Sequence, residues 1–138
     1  MGTVLAVRDE GTARTVPKAR IAPIFDNGSC LFPLLNTDEK IAGIISSENE
    51  MNKRIYTFPT SQIKLNGNES SYFEVINSLA YPECNKALVR IVERFKIEKI
   101  EKLIENTEFI SEKRKEFYKI IINQRFEKIL IASYQKLK

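Results

Sequence analysis

Apolar and polar positions along the chain follow two regimes that change over near residue 70. In the first, apolar residues come in short runs broken by turn formers. Thr3-Val4-Leu5-Ala6-Val7 leads into Asp9-Glu10-Gly11-Thr12, and a second extended stretch runs from about Thr15 to Ala22. Two such runs around a glycine-bearing connection predict a β-hairpin. Pro17 has no N–H to donate, which confines the second strand to an edge or to partial pairing. Asp26-Asn27-Gly28 predicts a turn. Residues 37–56 predict one or two short helices. Asp38 is placed to cap the first, and Ser47 with Glu50 three residues on is a capping-box pattern for the second. Phe58-Pro59-Thr60 and Asn66-Gly67-Asn68 then break the chain again.

From Ser71 onward the pattern is helical. Ser71 with Glu74 forms another capping box, and Phe73, Ile76 and Ala80 share one face. Pro82 suits the first turn of the next helix, whose stripe of Leu88, Ile91, Val92 and Phe95 has the i, i+3, i+4, i+7 spacing of a buried face. A shorter helix carries Ile97, Ile100, Leu103 and Ile104 and ends at Asn106 or Thr107. The last begins near Ser111 and spreads Phe117, Ile121, Ile122, Phe126, Ile129, Leu130, Ser133 and Leu137 over a broad apolar face. Tyr56, Phe58, Tyr72, Phe73, Phe95 and Phe126 read as core. Breaks at 95–97 and 106–111 favour packed antiparallel helices over a coiled coil. The expected fold class is mainly α, with an N-terminal β-hairpin followed by a helical bundle. A single domain is expected over residues 1–138, with the hairpin and a motif loop in 1–33 and the helical part in 34–138.

Composition narrows the chemistry. The chain has 138 residues, 43% of them hydrophobic, enough for one real core. It contains no histidine, which excludes histidine bases, His–Cys zinc sites and Ser–His–Asp triads. Its two cysteines, Cys30 and Cys84, are too far apart for a CxxC pair and read as reduced thiols, Cys30 as a small packed residue. No apolar run approaches the ~18–20 residues of a membrane span, and the start lacks the apolar core of a secretory signal, so no membrane partner and a cytoplasmic location are expected.

The net charge of +4 conceals an asymmetry. Residues 1–85 carry 8 basic and 10 acidic side chains (−2), and residues 86–138 carry 14 and 8 (+6). The bases alternate with glutamates, as in Lys96-Ile97-Glu98-Lys99-Ile100-Glu101-Lys102, which is how a solvated helix surface looks. Lys113-Arg114-Lys115 reads the same way. The basic half also leaves open a small helical interaction module that binds nucleic acid.

Asp26 is the one carboxylate between an apolar segment and a small turn, with Gly28 letting backbone approach a ligand. That suits a Mg²⁺ anchor, since magnesium takes one or two protein carboxylates plus phosphate and water oxygens. An ordinary Asx turn uses the same residues. The string Arg20-Ile21-Ala22-Pro23-Ile24-Phe25-Asp26-Asn27-Gly28-Ser29-Cys30-Leu31-Phe32-Pro33 resembles the metal-binding segment of HipA-like serine/threonine kinases, which carry A-P-[IVL]-[FY]-D-x-G. The order of a hairpin, then the motif, then helices resembles the C-terminal lobe of those kinases. The resemblance implies that Asp26 coordinates Mg²⁺ bridging ATP phosphates, with Asn27 and Gly28 beside the cofactor.

Kinases of this type place a catalytic loop, with its Asp base and metal-binding Asn, just upstream of the hairpin, and Met1 falls at about that point. These 138 residues hold no Asp-x-x-x-x-Asn and no glycine-rich phosphate loop. The resemblance therefore implies a C-lobe fragment that is inactive alone. With an N-lobe absent, Val4, Leu5, Val7, Ile24, Phe25 and Phe32 would be uncovered, so either a homo-oligomer through the N-terminal segment or an N-lobe partner is expected.

Overall fold

The computed structural model describes residues 30–57 and 61–138 with their side chains, together with the backbone of Leu5–Arg8 and Lys18–Ile21. These last two segments are β1 and β2, an antiparallel pair in the register Leu5↔Ile21 to Arg8↔Lys18. The rest is helical apart from one small hairpin. In order come α1 (Asp38–Ile45), α2 (Glu48–Asn52), β3 (Lys64–Leu65), β4 (Asn68–Glu69), α3 (Tyr72–Ser78), α4 (Pro82–Arg94), α5 (Ile97–Glu105), α6 (Glu112–Arg125) and α7 (Ala132–Leu137). The fold is mainly α with a two-stranded hairpin at its start, the class expected.

Two helices change winding. α2 continues into a π-helical segment at Lys53–Thr57, and a second π segment at Phe126–Ile131 joins α6 to α7, so residues 112–137 form one helical rod. α1 lies against α2 and α6, α3 and α4 both lie against α7, and the two π segments lie against each other. The core between them consists of Phe32, Ile41, Ile44, Met51, Ile55, Leu88, Phe117, Ile121, Ile129 and Leu130. Phe95 stacks on Phe126, with ring centroids 3.8 Å apart, and closes the end of α4 over the rod.

The helix starts are built locally. Ser71 accepts from the Glu74 N–H while the Glu74 carboxylate accepts from the Ser71 N–H, a complete capping box. Pro82 opens α4, and Ser111 caps α6 by accepting from the Arg114 N–H. Asn66 and Gly67, at φ 52° and 81°, make the left-handed turn that a two-residue hairpin needs between β3 and β4.

Several expectations are corrected. The cap of α1 is Thr37, whose hydroxyl accepts from the Lys40 N–H. Asp38 is the first helical residue, and its carboxylate accepts instead from the Ser111 hydroxyl. Ser47 does cap α2, but no capping box closes, because Glu50 turns to Arg54 and Lys53. Tyr72, Ala80, Leu103 and Leu137 are exposed rather than core, Leu103 at 70%. Val75 and Ala87, not expected in the core, are buried, and Ile104 is buried as expected beside the exposed Leu103. The triplet at 113–115 is not simply solvated. The Arg114 guanidinium donates to the Leu35 carbonyl, and Lys115 Nζ lies 2.9 Å from the Glu105 carbonyl at the end of α5. Cations near that end offset its carbonyl dipoles. Phe58, expected in the core, and Val4, Leu5, Val7, Ile24 and Phe25, expected to be uncovered, fall where no side chain is described. Phe32, expected to be uncovered with them, is buried at 8% exposed in the cluster of Phe117 and Ile121.

Candidate functional site

The segment carrying the candidate chemistry, Ala22 to Gly28, lies outside the described residues, and with it Asp26, Asn27 and Gly28. Both of its flanks are described. On the N-terminal side β2 ends at Ile21 and lies against α4. On the C-terminal side the described residues begin again at Cys30, and two arginines meet the Cys30 carbonyl and the Phe32 ring.

Arg125 stands where α6 gives way to π winding. Its Nη1 donates to the Cys30 carbonyl at 2.8 Å, and its Nη2 and Nε donate to the Arg54 carbonyl at 2.8 and 3.2 Å. The Arg54 carbonyl belongs to the last turn of the first helical hairpin, where carbonyls run out of helical partners and a cation is favoured. One guanidinium thus ties that helix end to the chain leaving the motif. The Arg125 and Arg54 guanidiniums both lie over the Phe32 ring, 5.3 and 5.6 Å from its centroid, and Phe117 tilts against it at 6.2 Å. Phe32 is only 8% exposed and sits at φ 56°. A left-handed backbone costs a non-glycine residue about 1–2 kcal/mol, so the contacts on its ring must over-determine the conformation.

The electrostatics are unequal. Arg54 pairs with Glu50 at 2.8 Å, and this hydrogen bond, with help from Lys53, holds the Glu50 carboxyl below its ordinary range. The Arg54 Nε is buried with no hydrogen-bond partner among the described residues. Arg125 has no carboxylate partner among them either, and burial pushes its pKa down. Its guanidinium is met by two carbonyls and the Phe32 ring, with no opposing charge among the described residues to offset its desolvation. Among the described residues no three of His, Cys, Asp and Glu come together to hold a metal. Burial pushes the Cys84 thiol up, away from the reactive thiolate, and both cysteines are free.

The sequence reading missed both arginines, although a signal was present. Phe117, Ile121, Arg125, Ile129 and Ser133 step by four along the rod, and the four other than Arg125 are all buried. A charged residue in the middle of a core stripe marks a special site.

The chain is similar to the serine/threonine-protein kinase CtkA of Helicobacter pylori strain J99, with 37% identity over 118 residues, or 85% of this chain and 36% of that kinase. It is also similar to the crystal structure of a Helicobacter pylori proinflammatory kinase CtkA, with 36% sequence identity and a TM-score of 0.74 over 86% of this chain and 42% of that one. The chain therefore spans about a third of the length of the curated relative it matches. No protein-family model matches. No helix among the described residues is long and apolar enough to cross a membrane.

Proposed function

We propose that this chain is the C-terminal-lobe part of a HipA-like serine/threonine kinase, with Asp26 as its Mg²⁺ ligand and Asn27 and Gly28 beside the nucleotide. The observation that carries the reading is the similarity to a serine/threonine kinase in both sequence and fold, along most of this chain's length. The donor chemistry fits as well. Asp26 offers hard carboxylate oxygens, and Mg²⁺ binds through one or two of these while phosphate and water complete its shell. When bound, the ion would neutralise charge on the transferred phosphoryl group. In this reading the chain's own contribution is the Asp26 carboxylate, with Gly28, which carries no side chain, suited to a close approach of phosphate to backbone.

In this reading the 138 residues by themselves do not transfer phosphate, because they contain neither an Asp-x-x-x-x-Asn catalytic loop nor a glycine-rich phosphate loop. Phosphoryl transfer rests almost wholly on positioning and charge stabilisation by such parts. Two measurements test the proposal. Mn²⁺ titration followed by water-proton relaxation should show binding that Asp26→Asn removes, and binding untouched by that change would refute the metal role. Incubation with labelled ATP and Mg²⁺ should give no incorporation above background, and incorporation abolished by Asp26→Asn would refute the claim of inactivity.

A further inference from the structure

We propose that the end of the molecule around the first turn of α6 is the contact face of a two-fold homodimer, with a second copy of this chain as its occupant. The inference is independent of the reading of Asp26. The three most exposed large apolar side chains among the described residues are Leu34 at 90%, Leu103 at 70% and Phe109 at 100%. Leu34 is far from the other two in sequence, and hydrogen bonds bring all three segments to one end of the rod. Leu34 precedes Leu35, whose carbonyl accepts from the Arg114 guanidinium. Phe109 stands two residues before Ser111, the cap of α6, whose hydroxyl donates to Asp38 at the start of α1. Leu103 lies in the last turn of α5. There its own carbonyl accepts from the Thr107 hydroxyl at 2.7 Å, and the Glu105 carbonyl accepts from Lys115 Nζ at 2.9 Å. Singly scattered exposed leucines are ordinary, but three such side chains tethered to one helix end mark an interaction site.

Phe109 adds a second sign. Its backbone sits at φ 66°, where glycine or asparagine would fit without strain, and its fully exposed ring gains no packing in return. The charges around this end say what covers it. Lys99 and Lys102 on α5, Glu108 beside Phe109 and Glu39 on α1 are all exposed, and none has an ion-pair partner among the described residues. An anionic membrane surface or a nucleic acid presents one sign of charge and would be repelled by the two glutamates. A surface that carries both signs unpaired, together with exposed apolar side chains, is complementary to itself. An isologous two-fold contact requires that property, because each copy offers the other the same patch. Three apolar anchors are few for the ~800 Å² per partner of a tight complex, so the dimer is a weak one, with a Kd on the order of tens of micromolar.

The test is sedimentation equilibrium of the full chain from about 5 to about 300 µM, a range that brackets the expected Kd. The parent chain should pass from monomer to dimer. Leu103→Gln combined with Phe109→Asn, both at exposed positions, should raise Kd by about tenfold or more with an unchanged circular dichroism spectrum. Lys99→Glu/Lys102→Glu and Glu39→Lys/Glu108→Lys should each stay monomeric alone, because each sets like charges against each other across the two-fold axis. Mixed together, the two should associate. A parent chain that remains monomeric at the highest concentration overturns the proposal. A dimer left intact by the two apolar changes overturns it as well, since the contact would then lie elsewhere. A mixture of the charge variants no more associated than its parts also overturns it.

Discussion

Replacing Phe117 by alanine should be among the most damaging single changes in this chain, and the structure sets its size. The ring is fully buried, tilted against Phe32 at 6.2 Å, and shares its cluster with Ile41 and Ile121, which are also 0% exposed. Phe→Ala in a core costs about 3–5 kcal/mol, and the value depends on how far the walls can collapse into the cavity. Collapse is restricted here. Phe32 is clasped by Arg54 and Arg125, and Ile121 sits on the same rigid rod as the missing ring. That argues for the upper half of the range, from which alanine's better helix propensity returns about 0.5 kcal/mol. The expected loss is therefore about 3.5–4.5 kcal/mol. In urea, with m near ~2 kcal/mol/M, the midpoint should fall by about 2 M, and Tm should fall by roughly 8–16 °C. Phe109→Ala is the internal control. Phe109 is 100% exposed at φ 66°, so its removal should change stability by less than ~1 kcal/mol. A loss below ~1.5 kcal/mol at Phe117, or above it at Phe109, would refute the packing argument.

On the proposed reading of Asp26 as a metal ligand, Asp26→Asn should leave stability within about 1 kcal/mol of the parent chain; a loss beyond ~1.5 kcal/mol in chemical denaturation would make Asp26 a structural turn anchor instead. Acid should weaken the fold through two surface carboxylates. Glu50 is held below its ordinary value of 4.5 by its hydrogen bond from Arg54, and Glu105 by its bond from Lys119, so each stabilises the folded chain above pH 4.5 and loses that contribution as the pH falls through the lowered value. A thermal scan series should show Tm dropping below pH 4.5, with the drop shallower in the Glu50→Gln/Glu105→Gln double variant and the difference shrinking in about 0.5 M salt. Identical slopes would show that the pairs contribute nothing.

Features set by neighbours in sequence were legible. The caps at Ser47, Ser71 and Ser111 and the proline opening of α4 need only residues within one turn, so their spacing announces them. Features set by distant partners were not. Leu103 and Ile104 are equally apolar and adjacent, and only the presence of α6 on one side of α5 decides that Ile104 is buried and Leu103 is not. Asp38 and Thr37 are both competent caps. Thr37 takes the cap, and Asp38 accepts instead from Ser111, 73 residues away. The charged triplet at 113–115 resembles any solvated helix start until the carbonyls of Leu35 and Glu105 arrive beside Arg114 and Lys115. The candidate metal ligand was read from a motif and not from packing.

The long rod shows why its central arginine escaped notice. An ideal α-helix turns about 400° in four residues, so a stripe stepping by four drifts by about 40° per step. Over the four steps from Phe117 to Ser133 the drift would reach about 160°, and the two ends would face nearly opposite ways. Both ends are nonetheless 0% exposed. The π segment at Phe126–Ile131 offers the physical reason: winding that closes i→i+5 hydrogen bonds turns less per residue and holds the stripe against the core. Under the α-helical period Arg125 falls at the middle of that arc, about 80° from either end, so it lies within the stripe under either winding. What its neighbours in sequence do not show is that its fork reaches two carbonyls contributed by segments 71 and 95 residues earlier in the chain. Arg125 closes the α-helical part of the rod, directly before the change of winding that keeps Ile129, Leu130 and Ser133 in the core, and there its guanidinium meets the Cys30 carbonyl just past the motif.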